Sequence, residues 1–305
     1  MSLDVSVVIV SHNSEGDLAL CVDSLLAHTG DLELELTVAD SGSSDATGTV
    51  AAGLPVNFLS GPNEGFGSAV NRAAERLEPS RYMLLVNPDA RIVSGSLADL
   101  LARCDRLPGS GIFGTKQIDE RGARTNSMRR FPTPARSWAE ASKIRSLRDR
   151  GERCMLPQPY ERMTDCDWVM GAFMLIRTSL FRELRGFDER FFLYSEEVDL
   201  CRRAALAGVR VTYVPAMTVR HRDINRRLPD PRSYLLARSQ LIYARKWQSH
   251  PGRALVRAAL LAGYGRSAID PRRPWPLRSD SRSRLRAVLG MRPLDASMSE
   301  RATGA

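Results

Sequence analysis

Segments typical of β-strands and of α-helices alternate through the first 115 residues, and this alternation constrains the fold more than any other feature. Residues 5–10 form an almost entirely apolar, β-branched run, as in a strand that is covered on both faces. Apolar residues at helical spacing follow over 17–28, and a second, alternating strand covers 34–38. This βαβ order predicts an α/β fold with a doubly wound, mainly parallel sheet that binds ligands at the carboxyl ends of its strands.

Weaker patterns predict the other elements. We expect short strands at 56–59, 82–86, 168–176 and 209–214, and helices at 64–77, 97–107, 179–184, 195–207, 231–248 and 252–264. Gly208 stands where a helix C-cap falls. Residues 120–165 contain four prolines and a basic run over 129–153, and we interpret them as a mobile insertion near the site rather than as a domain.

Charge divides the chain near residue 225. Residues 226–305 carry 17 basic and 5 acidic residues, whereas residues 1–225 carry 27 basic and 30 acidic residues. We therefore expect a near-neutral globular domain over 1–225, with halves 1–115 and 116–225, and a basic, largely helical C-terminal appendage over 226–305. Such an appendage suits an anionic surface, either phospholipid or nucleic acid, and a solvated helical face rich in arginine is the simpler alternative.

The sequence also gives clues to the cellular compartment of the protein. The first residues, MSLDVSVVIV, lack a basic secretory n-region, and the most apolar tail segment, 254–264, is too short to span a bilayer. The five cysteines are scattered without a CxxC pair, which favours reduced thiols over disulfides or a zinc site. We expect a cytoplasmic protein.

Polar residues directly follow three of the predicted strands: Ser11-His12-Asn13, Asp40 at the start of DSGSSD, and Asn87-Pro88-Asp89. Each is a common turn sequence, and Asp40 taken singly favours a turn, but three such ends on one sheet edge indicate a site. Asp89 suits a hard divalent cation when a diphosphate supplies further oxygens. His221 is a candidate nitrogen ligand, although a histidine between two arginines is more often a surface residue.

Two further segments add candidates. Asn63-Glu64-Gly65-Phe66-Gly67, followed by Asn71, is glycine-rich at a helix entry, where free N–H groups favour phosphate or sugar oxygens. Residues 186–200, GFDERFFLYSEEVDL, join an aromatic cluster to Glu196, Glu197 and Asp199. Ser195 is a good N-cap that would place both glutamates where the helix dipole favours them. The alternative is a site in which the aromatic residues form an apolar wall for a sugar ring.

In their order and spacing these motifs resemble the family 2 glycosyltransferases of GT-A fold, especially the bacterial rhamnosyltransferase-like branch. The similarity covers residues 4–222, and its landmarks are VSVVIVSHN, ADSGSSD, NEGFGSAVN, LLVNPDA, the segment DWVMGAFMLIRTSLFRELRGFDERFFLYSEEVDLCRRAALAG, and VRH ending at His221. Asn87-Pro88-Asp89 departs from the D-x-D element of the family by lacking its first acid, in a form that the rhamnosyltransferase-like branch commonly shows.

The resemblance implies roles for individual residues. Asp40 would hydrogen-bond the pyrimidine base of a nucleotide-sugar, with His12 packed beside it. Asp89 and His221 would bind Mg²⁺ or Mn²⁺ at the donor diphosphate. Glu197 takes the position of the catalytic base, where the family usually has aspartate, and Glu196 and Asp199 are alternatives. The remaining residues implied in nucleotide-sugar binding are Ser11, Asn63, Gly65, Asn71 and Asn87, and those in the sugar and acceptor cleft are Trp168, Gly171, Ala172 and Tyr194.

The resemblance further implies inverting, metal-dependent transfer of a hexose, with dTDP-rhamnose as the favoured donor and a UDP- or GDP-sugar as the alternative. The acceptor would be a hydroxyl of a glycan or a polyprenyl-diphosphate-linked glycan in cell-envelope polysaccharide synthesis. Separately from the resemblance, the two basic amphipathic helices predicted in the tail lead us to expect that residues 226–305 attach the enzyme peripherally to the anionic inner face of the plasma membrane. A non-enzymatic nucleic-acid-binding protein is a remote alternative, and we expect no nucleic-acid partner. The sequence has no G-x-G-x-R loop of sugar nucleotidyltransferases and no Arg-Trp pair of processive synthases.

Overall fold

The computed structural model describes residues 3–142, 161–222, 230–272 and 274–292. Cys154, Pro157, Pro159 and the basic run beyond residue 142 lie outside the described residues. The chain divides into two compact units. The first comprises the described residues within 1–129, 158–188 and 197–225, and the second those within 130–157, 189–196 and 226–305. The predicted boundary at residue 225 stays a prediction, and two segments before it group with the C-terminal helices.

The elements in chain order are β1 (Leu3–Ser11), α1 (Leu18–Leu26), β2 (Leu34–Ser41), α2 (Thr47–Ala52), β3 (Asn57–Gly61), α3 (Phe66–Ala74), β4 (Ser80–Val86), β5 (Ala90–Gly95), α4 (Leu97–Asp105), β6 (Ser110–Ile118), β7 (Met128–Arg129), α5 (Pro134–Ser142), β8 (Thr164–Cys166), β9 (Trp168–Val169), β10 (Phe173–Arg177), α6 (Thr178–Glu183), α7 (Glu196–Leu206), β11 (Arg210–His221), α8 (Asp230–Trp247), α9 (His250–Ile269) and α10 (Trp275–Leu289).

The first unit is built on a nine-stranded sheet in the order β3-β2-β1-β4-β10-β6-β11-β5, with β8 paired to β11. Strands β1 to β4 pair in parallel, as do β6 and β11, whereas β10 and β5 run antiparallel to their neighbours. The predicted mainly parallel, doubly wound sheet is therefore confirmed. Because β2, β1 and β4 are adjacent and parallel, the polar residues that follow them meet at one edge of the sheet.

The core explains why β1 is a continuous apolar run. Val5, Val7, Val8 and Ile9 are all fully buried, so that both faces of the strand are covered. One face packs against the apolar stripe of α1, which includes Leu18. Each such fully buried side chain contributes about 1.5–3 kcal/mol relative to exposure.

Several elements differ from the predictions. The strand expected over 168–176 is two strands, β9 and β10, separated by a turn at Gly171. Strands β5 and β6 were not predicted, and Gly111 and Gly114 explain the omission of β6, since glycine weakens a strand pattern. Both glycines are required by packing: a Cβ on Gly111 would lie 2.5 Å from Leu180, and one on Gly114 would lie 2.7 Å from Val169.

The segment interpreted as an insertion contains regular structure in its described part, including β7, α5 and β8. Gly208 follows α7 with φ +78°, and its N–H donates to Ala205, so the predicted C-cap is confirmed. Helix α10 was not predicted, because seven consecutive polar or charged residues separate Leu277 from Leu285 and interrupt any apolar stripe.

The second unit is mostly helical in its described part. Its small apolar core contains Ala237, Ala287 and Val288, against which Tyr234, Leu241, Leu260, Leu261 and Tyr264 pack. Helix α5, which precedes the other helices of this unit in the chain, packs closely against α9: a Cβ on Gly263 would lie 3.2 Å from Ala141. Within the part of the chain that the structure describes, no helix combines the length and the apolar character that crossing a membrane requires.

Candidate functional site

Asp40 lies at the end of β2, level with Ser11 at the end of β1, and its carboxylate is buried. Oδ1 accepts hydrogen bonds from the hydroxyls of Ser11 and Ser43, and Oδ2 accepts one from the N–H of Ser43. An ionised carboxylate has about four acceptor positions. These three donors fix the carboxylate and leave acceptor capacity on Oδ2 for an N–H group of a ligand such as a pyrimidine base.

The loop after β1 is tied to the loop after β2. His12 Nδ1 lies 2.8 Å from the carbonyl oxygen of Ser41, and because a carbonyl only accepts, Nδ1 donates this hydrogen bond. Asn13 donates its N–H to Ser43 Oγ at 2.8 Å, and its side-chain oxygen accepts the N–H of Ser44 at 2.8 Å. The structure thus brings the predicted Ser11, His12 and Asp40 together on a cross-linked edge.

The glycine-rich segment lies beside these loops. Gly65 precedes α3 with φ +105°, a conformation that favours glycine, and a Cβ on Gly42 would lie 3.4 Å from the backbone nitrogen of Asn63. Asn63 and Gly65 therefore stand near the DSGSSD turn, where α3 presents its free N–H groups.

Asn71 has a structural contact that the sequence did not predict. Its Nδ2 donates to the carbonyl of Phe187 at 3.0 Å, and its Oδ1 accepts the N–H of Phe187 at 2.8 Å. This pair ties α3 to the Gly186–Phe187 turn, and Gly67 lets the two segments approach, since a Cβ there would lie 2.8 Å from the Cβ of Phe187. The geometry favours positioning by Asn71, and its contact with a nucleotide stays a prediction.

Asn87-Pro88-Asp89 forms a turn that presents Asp89. The N–H of Ala90 donates to the carbonyl of Asn87 at 3.0 Å, which closes a β-turn with Pro88 at its second position, where proline pre-sets φ. The N–H of Asn87 donates to the carbonyl of Ala172 at 3.0 Å. The loop that carries Asp89 is thereby joined to the predicted cleft residue Ala172.

Asp89 and His221 converge as predicted. His221 is the last residue of β11 and pairs with Ala90 of β5, and its Nε2 lies 3.3 Å from Asp89 Oδ1 and 3.2 Å from Asn87 Nδ2. Burial raises the pKa of Asp89, but the hydrogen bond and charge of His221, together with the charge of Arg222, outweigh it and hold this pKa below its usual value. Asn87 thus lies against His221, and its contact with a nucleotide-sugar stays a prediction.

The pair fits a divalent cation. Two ligand atoms about 2.1 Å from an ion and at right angles to each other are about 3.0 Å apart, close to the 3.3 Å between Asp89 Oδ1 and His221 Nε2. Among the described residues, no group of three or more His, Cys, Asp or Glu side chains is placed to hold a metal ion. A cation at this pair would take its remaining oxygens from a bound diphosphate or water.

The acidic cluster on α7 resolves into different roles. Asp199 is fully buried, and its Oδ2 accepts a hydrogen bond from Arg203 Nε at 2.8 Å. The same guanidinium donates to the carbonyls of Leu184 at 2.6 Å and Gly186 at 2.8 Å. Asp199 therefore holds an arginine that caps the end of α6, and this geometry does not favour it as the base.

Glu197 is half-buried, and the stem of its side chain lies beside Gly171, 3.6 Å from the position of a Cβ on that glycine. Because Gly171 adjoins Ala172, whose carbonyl accepts from Asn87, a short chain of contacts links Glu197 to the Asp89 turn within the first unit. Glu196 and Tyr194 fall in the second unit.

Helix α7 begins at Glu196, so Ser195 stands at the position predicted for its N-cap. Tyr194 and Ser195 have φ values of +69° and +67°, whereas an N-cap residue is usually extended. Consecutive left-handed residues other than glycine cost about 1–3 kcal/mol each and concentrate at functional sites.

Trp168, predicted to line the cleft, is buried, and the guanidinium of Arg129 lies 5.4 Å from its ring centre. Its cleft role stays a prediction. Sequence reasoning missed Ser43 and Arg72, which donates to the carbonyl of Asp40 at 3.0 Å. The Asp-x-x-Ser spacing signals a side-chain-to-backbone turn and could have identified Ser43, whereas no local pattern identifies Arg72.

Comparison with known proteins gives consistent similarities. The family profile described as Glycosyl transferase family 2 matches residues 6–185. N-acetylglucosaminyl-diphospho-decaprenol L-rhamnosyltransferase of Mycobacterium tuberculosis is 30% identical over 246 residues, which cover 72% of this chain and 76% of that protein. Rhamnosyltransferase WbbL of Escherichia coli K12 is 31% identical over 236 residues, which cover 71% of this chain and 83% of that protein.

Among solved structures, the mannosyltransferase PcManGT from Pyrobaculum calidifontis, in complex with GDP-Man and Mn²⁺, has a TM-score of 0.52 at 13% identity. The match covers 94% of this chain and 70% of that chain. At this identity the similarity concerns the fold alone, and the shared fold is of the GT-A type.

Proposed function

Since the chain belongs to glycosyltransferase family 2, we propose that it transfers a hexose from a nucleotide-sugar to an acceptor hydroxyl with inversion and with the help of a divalent cation. The observation that carries the proposal is the continuity between Asp89, His221 and Glu197, which contacts through Ala172 and Gly171 bring into one region. A cation-binding pair beside a carboxylate is the arrangement that such a displacement requires.

The residues have separable tasks in this proposal. Asp40, fixed by Ser11 and Ser43, accepts the N–H of the pyrimidine base. Asp89 and His221 would hold Mg²⁺ or Mn²⁺, which when bound neutralises charge on the leaving nucleoside diphosphate. Because burial in this region excludes water, these fixed charges act in a lower dielectric than bulk water provides.

Glu197 is the proposed general base. Its carboxylate takes the proton of the acceptor hydroxyl while that oxygen forms a bond to the anomeric carbon and the bond to the diphosphate oxygen breaks. Attack opposite to the leaving group inverts the anomeric configuration. General-base assistance contributes about 10²–10⁴ in rate, so replacing Glu197 by glutamine is expected to lower kcat by that factor.

For the donor we propose dTDP-rhamnose, and for the acceptor a lipid-linked glycan of cell-envelope polysaccharide synthesis. Two relatives named as rhamnosyltransferases support the sugar, and the decaprenol-diphosphate acceptor in the name of one of them supports the lipid linkage. A UDP- or GDP-sugar is the competing donor class, and the experiment below separates the three nucleotides.

The test is a thermal-shift panel of dTDP, UDP and GDP, each with and without Mn²⁺. Ligand at 100 times its Kd stabilises the folded state by about 2.7 kcal/mol. We expect dTDP to raise Tm only with Mn²⁺, and Asp89→Ala to lose this effect. The exposed carboxylate of Asp99 provides a control, because Asp99→Ala removes an ion pair with Arg103 on α4 and leaves the shift intact. No shift with any nucleotide, or an undiminished shift in Asp89→Ala, would contradict the proposal.

We further propose that the second unit binds an anionic phospholipid surface through the turn between α9 and α10. Ile269 is 78% exposed and Trp275 is 60% exposed at this turn. The guanidinium groups of Arg278 and Arg282 lie 5.8 Å and 5.1 Å from the Trp275 ring centre. An exposed tryptophan beside arginines suits the headgroup region of an anionic bilayer. Residues 226–305 contain 17 basic and 5 acidic residues, and this positive charge also favours an anionic lipid surface.

Co-sedimentation of the full chain with vesicles of anionic and of neutral phospholipid tests this surface. Burying a large apolar side chain contributes about 1.5–3 kcal/mol, so Trp275→Ala is expected to weaken binding to anionic vesicles at least about tenfold. Leu206→Ser, at a 71% exposed residue of the first unit, is the control that leaves binding unchanged. Equal binding of Trp275→Ala and the wild type, or preference for nucleic acid over vesicles, would refute it.

A further inference from the structure

Gln117 of β6 is an unexplained polar residue in the core of the first unit. It is 1% exposed, and neither Nε2 nor Oε1 has a hydrogen-bond partner. More than about nine in ten buried polar groups in folded proteins are hydrogen-bonded, because an unmade bond costs free energy on folding. A buried glutamine that satisfies neither end of its amide therefore calls for a physical reason.

The position of Gln117 in the sheet supplies a reason for its burial. Strands β6 and β11 pair in parallel, with Gln117 level with Val219 and Ile118 level with Arg220. Side chains at paired positions of parallel strands share a face, and that face recurs every second residue. His221 therefore lies on the same face as Gln117, one repeat further towards the ligand edge.

His221 has a matching unsatisfied atom. Its Nε2 faces Asp89 and Asn87, whereas Nδ1 is buried without a hydrogen-bond partner. The residue that follows β6, Asp119, uses its Oδ1 to accept the N–H groups of Arg121 and Ala123. Gln117 is thus a long side chain with an unused acceptor, placed on the same face as a histidine with an unsatisfied ring nitrogen.

We propose that Gln117 is a positioning residue for His221. Its amide oxygen accepts a hydrogen bond from Nδ1–H, directly or through one buried water. This bond would hold the ring with Nε2 towards Asp89 and keep the proton on Nδ1, so that a cation could take the place of the Nε2 proton between His221 and Asp89. The proposal rests on the cation-binding role of Asp89 and His221 under Proposed function. Partners of this kind orient a ligating histidine, and their loss typically lowers metal affinity about 10–100-fold.

The test compares three variants by the affinity of Mn²⁺ in the presence of dTDP, read from the electron paramagnetic resonance signal of free Mn²⁺. Gln117→Met keeps the length of the side chain and removes both polar groups. We expect it to unfold near the wild-type temperature, because the cost of leaving Nδ1–H of His221 unpaired is offset by removal of the unpaired Nε2 group of Gln117, and to bind Mn²⁺ about 10–100-fold more weakly. Gln117→Glu retains an acceptor and is expected to bind Mn²⁺ within about threefold of the wild type.

Thr115→Val is the matched control. Thr115 lies on the same strand and face, is equally buried, and donates its hydroxyl to the carbonyl of Met217 at 2.7 Å. We expect this variant to lose stability and keep its Mn²⁺ affinity, the opposite pattern to Gln117→Met.

Unchanged Mn²⁺ affinity in Gln117→Met would overturn the positioning role, as would a loss in Gln117→Glu equal to that in Gln117→Met. If Gln117→Met does not fold, the affinity of Gln117→Glu decides: retention within about threefold supports the role, and a tenfold loss overturns it. A wild type that binds no Mn²⁺ with any nucleotide contradicts the proposed function itself, which distinguishes the two failures.

Discussion

Asp199 and Glu197 lie two residues apart on α7, and substitution of each is expected to change a different property of the protein. Asp199 is fully buried and pairs with Arg203, whose side chain is 19% exposed. Removing one partner of a buried ion pair costs about 3–5 kcal/mol, because the other charge stays buried without compensation. Asp199→Ala should therefore lower the free energy of unfolding by about 3–5 kcal/mol, a large share of the 5–15 kcal/mol typical of a folded protein.

A milder variant keeps the measurement accessible. Asp199→Asn preserves shape and one acceptor but loses the charge, and a hydrogen bond to a charged group contributes about 1.5–3 kcal/mol. We expect this variant to unfold at a lower urea midpoint with an unchanged slope, and to keep its kcat per folded molecule. Glu197→Gln is the counterpart: its free energy of unfolding is expected to stay within about 0.5 kcal/mol of the wild-type value, and its kcat is expected to fall about 10²–10⁴-fold.

The assay combines urea unfolding, followed by circular dichroism, with release of nucleoside diphosphate from the nucleotide-sugar. The reasoning is refuted if Asp199→Asn is as stable as the wild type and inactive. It is refuted equally if Glu197→Gln loses stability while retaining activity. Either outcome would reassign the base on α7.

Three further expectations follow from the packing of the first unit. Gly67→Ala should cost about 1–3 kcal/mol in urea unfolding, because its Cβ would lie 2.8 Å from Phe187; unchanged stability would show that the Phe187 turn moves freely. Asn71→Ala should cost about 2–4 kcal/mol by leaving the N–H and carbonyl of Phe187 unsatisfied, and Asn71→Asp, which can still accept the N–H, should recover part of it. Burial raises the pKa of the thiols of Cys21 and Cys201, so both should stay protonated at pH 8. After treatment with iodoacetamide, mass spectrometry should find both cysteines unmodified until urea is added. Rapid labelling of the native protein would argue against their burial.

The outline of the sheet could be predicted from local patterns. The apolar run of β1 and the stripe of α1 report burial directly, since both faces of the strand are covered. Strand β6 was not predicted because its two glycines resemble turn signals. In the structure they are needed because the side chains of Leu180 and Val169 lie too close for a Cβ. The need for a glycine at these positions comes from side chains that are distant in the chain, so it cannot be inferred from the local sequence around the glycine.

The candidate site divides in the same way. The sequence by itself determined that Ser11, Asp40 and Asp89 follow neighbouring parallel strands, because the order of strands and helices dictates which strand ends share an edge. Only the tertiary structure decided that Asp199 serves Arg203, that Asn71 holds Phe187, and that Gln117 lies buried on the face of His221. These assignments depend on partners between 4 and 116 residues away in the chain, which packing brings together and sequence spacing leaves undetermined.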